Sequence, residues 1–164
     1  MTTDELTPDT ILIGEKLYAD AIKQVLSQAE QSLFIFDQDL SRGDFASLQI
    51  YDLLNAFLSK DSLTQLTIIL QSTVYFQQHC PRLFQLLGIY GHKMTVYETN
   101  QTAKHDKDCF ILADGLHYVK RIHIDQARFK YALNDAPAVE ALNQRFNDLR
   151  EATHHALSVT KLGL

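Results

Sequence analysis

A chain of 164 residues, 46% hydrophobic and 21% charged, has the size and composition of one globular domain. At this length it buries roughly 70% of its unfolded surface without a metal or disulfide staple. The net charge of −5 argues against a general nucleic-acid binder, which needs a local excess of Lys and Arg, while leaving room for a small basic pocket.

The opening residues MTTDELTPDT carry acids and hydroxyls where a signal peptide carries basic residues and then an apolar run, so a cytoplasmic location is expected. No apolar stretch approaches the ~20 residues that span a bilayer, and no membrane insertion is expected. Residues 1–13 read as a polar lead-in, 14–156 as the domain and 157–164 as a tail.

Leu17, Tyr18, Ala21, Ile22, Val25 and Leu26 recur on one helical face and predict an amphipathic helix over 14–30. The run 32–37 is aromatic and β-branched, as a buried strand requires. Asp37, Gln38, Asp39 and Arg42 cluster in the loop behind it. A second helix follows Asp44 on the spacing of Leu48, Tyr51, Leu54, Phe57 and Leu58, then a strand at 66–70.

Leu83, Leu86 and Leu87 mark a helical segment between Val74 and Tyr90, with Pro81 starting or kinking it and Gly91 as a left-handed stop. Strands are expected at 93–97, 108–113 and 116–121. The last two flank Asp114-Gly115, a dipeptide suited to a tight hairpin because both residues tolerate positive φ. Residues 123–134 show charge and aromatics without a clear period. Val139, Leu142, Phe146 and Leu149 define a final helix from Asp135, with Pro137 in its first turn. This order implies a mixed sheet flanked by helices, an α/β fold.

His105 and Lys107 stand two apart before a strand that ends in Asp114. This resembles the HxKxxxxD element of the phospholipase D superfamily, in which His attacks a phosphodiester, Lys stabilises phosphoryl oxygens and Asp supports the site. Here Leu112 occupies the seventh position after His105 and Asp114 comes two residues later, about 6.6 Å along a strand. The downstream GSxN element is absent, with Lys120-Arg121-Ile122-His123 in its place.

Together with 33–40, 82–87, 110–114 and the Arg145-Phe146 helix, the chain resembles a bacterial family of uncharacterised phospholipase D-like domains over roughly 14–154. That resemblance implies a single half-unit of the fold, sometimes following an acetyltransferase domain, and a noncatalytic binding or interaction module without a cofactor. Two alternatives stay open: a homodimeric phosphodiesterase using His105 of two chains, and a structural partner of an acetyltransferase.

Lys120, Arg121, His123 and Arg128 are the anion-binding candidates, since guanidinium and imidazole groups hold anions through charge-assisted hydrogen bonds. Surface salt bridges would use the same residues. Arg121 and Arg128 are expected to converge near Asp37 or Asp39. A small anion, a second copy or a protein is the expected partner, rather than nucleic acid. The alternation of Tyr118, Phe129 and Tyr131 with basic residues could stack bases but suits core packing in an acidic chain. Cys80 and Cys109 lack CxxC spacing and read as buried thiols of a reducing compartment. His79, beside Cys80, reads as structural, and His154-His155 as the end of the last helix. No metal is expected.

Overall fold

The computed structural model describes residues 6–100 and 105–157. The elements, in chain order, are β1 (Leu12–Ile13), α1 (Glu15–Gln28), β2 (Ser32–Asp37), α2 (Leu48–Ser59), β3 (Gln65–Leu70), α3 (Val74–His79), α4 (Pro81–Ile89), β4 (Met94–Thr99), β5 (Cys109–Ala113), β6 (His117–His123), β7 (Gln126–Ala132), α5 (Ala136–Glu151) and β8 (Thr153–Ala156). The eight strands form one mixed sheet in the order β1-β7-β6-β5-β2-β3-β4-β8. The pairs β2–β3 and β3–β4 are parallel, which requires the helical crossovers α2 and α3–α4.

Side-chain alternation divides the core into two layers. Leu33 and Ile35 of β2 join Tyr18, Ile22, Leu54 and Leu83 on the face covered by the first four helices. Phe36 joins Phe110, Val139 and Phe146 beneath α5. Because helices lie on both faces, β2 and β3 are apolar almost throughout, unlike a half-exposed strand. Among the described residues no helix is long and apolar enough to cross a membrane.

The hairpin expectation holds in detail: Asp114 and Gly115 have φ of 58° and 70°, and the Leu116 amide bonds to the Ala113 carbonyl at 2.9 Å. Asp135 caps α5, accepting the Ala138 amide, with Pro137 in the first turn.

Four expectations are corrected. Residues 126–132 form β7, whose Phe129 and Tyr131 enter one core layer while Ala132 enters the other. Residues 12–13, expected in the lead-in, pair with β7. The segment 74–90 is two helices meeting at Cys80, and Gly91 is not among the glycines of positive φ. The last helix ends at Glu151, and 154–155 belong to β8, which pairs with β4.

Candidate functional site

The carboxyl ends of parallel strands are where open α/β sheets bind ligands. There the register aligns Glu98, Leu70 and Asp37 across β4, β3 and β2 and Cys109, Arg121 and Phe129 across β5, β6 and β7, and the β2–β5 pairing, which ends at Phe36 and Phe110, joins the two rows when continued by one residue. Side chains in one row share a face, here the face of α1.

Polar groups in this row form a buried chain. Asp37 Oδ2 accepts the Leu40 amide at 2.9 Å, while Oδ1 has no partner of hydrogen-bonding geometry among the described residues. Burial pushes the Asp37 carboxyl up to about 6, although the Gln38 and Leu40 amides and the adjacent Cys109 thiol favour its charged form. Cys109 Sγ and the Tyr18 hydroxyl lie 3.3 Å apart. Burial, with Asp37 next to it, drives the Cys109 thiol well above its ordinary range, so it stays protonated and unreactive. Burial likewise raises Tyr18.

Arg121 lies over the Tyr18 ring, 4.9 Å from its centre, and is closed by Glu15: the two terminal guanidinium nitrogens meet the carboxylate oxygens at 2.8 Å. Its remaining donors go to the carbonyls of His123 and Ile124. The Arg121 hydrogen bond holds Glu15 below the usual carboxylate range. Burial alone would lower Arg121, and Glu15 more than reverses that.

The opposite face carries a second closed cation. Arg145 of α5 forks onto Asp108, with Nη2 to Oδ1 at 2.7 Å, and reaches Asp106 at 3.3 Å. It also covers the Phe36 and Phe110 rings. Gln38 and Gln71 draw this loop across the sheet end by donating to the Asp106 carbonyl at 2.8 and 2.5 Å.

His105 and Lys107 are exposed in that loop. Asp114 lies past the far end of β5, where it accepts the amides of Glu30, Gln31 and Ser32. Lys120 faces α5 and lies 3.7 Å from Asp108. Arg128 is exposed on β7, and its neighbour Phe129 opposes Arg121. Arg121 and Arg128 therefore project from opposite faces, and the expected convergence on Asp37 or Asp39 does not occur: strand alternation separates the two arginines. Asp39 instead binds the Ser41 amide and hydroxyl. His123 accepts the Asp125 amide at 3.1 Å. Tyr118, Phe129 and Tyr131 are all buried.

Glu15, Tyr18 and Arg145 were not among the expected site residues. The signal for the first two was the helix beginning near residue 14, since positions three apart share a helical face. A cleft of about 780 Å³ adjoins this site, lined by Glu15, Asp20, Lys23, Arg42, Asp44 and Tyr75 among others. Its Lys23 is already engaged by Asp44 and Gln49. Among the described residues, no three His, Cys, Asp or Glu side chains gather as a metal site.

A family model described as "Domain of unknown function (DUF7931)" matches residues 15–162. No curated protein matches the chain. Among solved structures it is similar to TrmBL2, an archaeal chromatin protein whose structure shows a novel mode of DNA binding, with TM-score 0.66 and 11% identity over 93% of this chain. This chain spans 56% of TrmBL2. It is similar also to Nuc from Salmonella typhimurium, a phospholipase D family member, with TM-score 0.61 and 9% identity over 90% of this chain and 97% of Nuc. NucT from Helicobacter pylori gives TM-score 0.55 and 13% identity over 88% and 96% of the two chains. At these identities the likeness shows the fold, a phospholipase D-like mixed sheet flanked by helices.

Proposed function

The chain belongs to the DUF7931 family, and from that premise we propose that it is a noncatalytic module that binds or docks a partner. The observation that carries this reading is the closure of both guanidinium groups at the sheet end: Glu15 takes Arg121 and Asp108 takes Arg145. A phosphodiester in this position would find both guanidinium groups already paired, whereas phosphoryl transfer depends on cations free to stabilise developing negative charge.

The register supports the same reading. Counted back from Asp114, the His and Lys positions of HxKxxxxD fall on Lys107 and Cys109. The first is exposed and the second is a buried thiol against Tyr18. His105 lies outside that count and has no hydrogen bond or ion pair among the described residues. The binding of DNA by TrmBL2 adds, by analogy of fold alone, that such a scaffold can serve recognition.

The test is turnover of bis-p-nitrophenyl phosphate in EDTA by the wild-type chain and by His105→Ala. No turnover by either protein is expected. Metal-independent hydrolysis by the wild type that disappears in His105→Ala overturns the proposal.

A further inference from the structure

The face of the sheet that carries α5 is covered unevenly, for α5 packs chiefly on β4, β5 and β6. On the outer part, Lys120 of β6 stands beside Lys130 of β7, and Arg128 of β7 beside Ile13 of β1. Ile11 immediately precedes β1, and Ile122 follows Arg121 at the register shift between β6 and β7. Ile13, Ile11 and Ile122 are 70%, 49% and 41% exposed. Asp108, which precedes Cys109 of β5, is held by Arg145 and lies 3.7 Å from Lys120. In a chain of net charge −5, Arg128 and Lys130 therefore stand among three exposed isoleucines, with Asp9 bonded to Tyr131 at the same edge.

The same surface runs into a strand edge that is unpaired among the described residues. β1 is the terminal strand of the sheet. Gly14 donates its amide inward to the Ala127 carbonyl, so by alternation the Ile13 amide points outward. β1 is two residues long, itself a limit on edge pairing, and Ile11-Leu12-Ile13 carries no Lys or Pro that would block an added strand.

We infer that this edge and face dock a protein by strand addition. The partner segment is extended, acidic and aliphatic: its backbone pairs with residues 11–13, its apolar side chains lie on Ile11 and Ile13, and its carboxylates reach Arg128 and Lys130. An anionic lipid surface would suit the cations and isoleucines but leave the edge amides unpaired. A nucleic acid would suit the cations and leave the isoleucines without a partner. The inference goes beyond the reading of the sheet end and holds whether or not that site has activity.

The experiment is binding of a fluorescein-labelled, end-capped peptide of alternating Glu and Val to the full chain, followed by anisotropy at low salt. Hydrogen exchange of the Ile11 and Ile13 amides is the second readout. Saturable binding with slowed exchange at both amides is expected, weakened roughly tenfold or more by Arg128→Glu combined with Lys130→Glu. Ile13→Pro should abolish it; if circular dichroism shows that variant to be unfolded, Ile13→Asp takes its place. No peptide binding up to ~1 mM overturns the inference, as does equal binding by wild type and variants. Tighter binding of a DNA duplex or of phosphatidylserine vesicles than of the peptide also overturns it.

Discussion

Asp114 Oδ1 accepts the Gln31 amide at 2.7 Å, joining a hairpin turn to the chain that enters β2. The same carboxylate receives Ser32 at 3.0 Å and Glu30 at 2.9 Å, so three successive amides converge on one side chain. Asp114 also has φ of 58°, a conformation that Asp and Asn accept and most residues resist. Replacing it by Ala strands the amides and strains the turn. Asp114→Ala should cost about 2–4 kcal/mol in urea unfolding, and Asp114→Asn, which retains an acceptor, about half that. A change below ~0.5 kcal/mol for the Ala variant would remove the structural role.

Arg121 is a large, fully buried cation whose counter-charge, Glu15, is about half exposed. Glu15→Ala leaves the guanidinium without a carboxylate and should destabilise by about 1–3 kcal/mol, discounted for the exposure of Glu15. Arg121→Met lets Glu15 hydrate but leaves the Ile124 carbonyl without this donor, at a similar cost of about 1–3 kcal/mol. The two losses should not sum, since each already breaks the pair. Additivity in the double variant, read from urea melts, contradicts the coupling.

Asp37 is a buried carboxyl displaced from 3.8 to about 6 by burial. Its folded value lies above its unfolded value, so the folded state binds the extra proton. The resulting stability is fully present below about 3.8 and is lost as pH rises through about 6. Asn carries no charge and can still accept the Leu40 amide. The stability of Asp37→Asn relative to wild type should therefore rise between pH 4 and pH 8, by roughly 2 kcal/mol for a shift of this size. A difference that stays flat across that range in parallel melts contradicts the buried carboxylate.

Gly43 sits against α1 with φ of 91°, and a Cβ there would lie 2.5 Å from Ile22 Cδ1. Gly43→Ala combines positive-φ strain with a clash in the core. A loss of about 2–4 kcal/mol is expected. Thermal unfolding checks it, and an unchanged midpoint would show that the cleft loop yields without cost.

The fold was legible where burial on both faces makes strands continuously apolar, as in β2 and β3, and where turn chemistry is local, as at Asp114-Gly115 and Asp135. β7 escaped because its alternation, Arg-Phe-Lys-Tyr, lasts only four residues. β1 and β8, at two and four residues, are too short for any period. Within the site, Asp37 stood out at a strand end. The Glu15–Arg121 pair could not be read, because its members are 106 residues apart and many acids compete for each arginine in sequence. Lys120 and Arg121 looked like one basic cluster for the same reason, since adjacency along a strand means opposite faces in space.

That alternation makes the sheet an electrical partition. On the α1 side Arg121 is closed by Glu15, and on the α5 side Arg145 is closed by Asp108. Asp106 and Lys120 widen the α5 pair into a cluster of two acids and two cations, so charge is balanced locally, and the field of a balanced cluster fades faster with distance than that of a net charge. The two faces are therefore electrically separate: a substitution that recasts the charges beneath α5 leaves the balance on the α1 side in place.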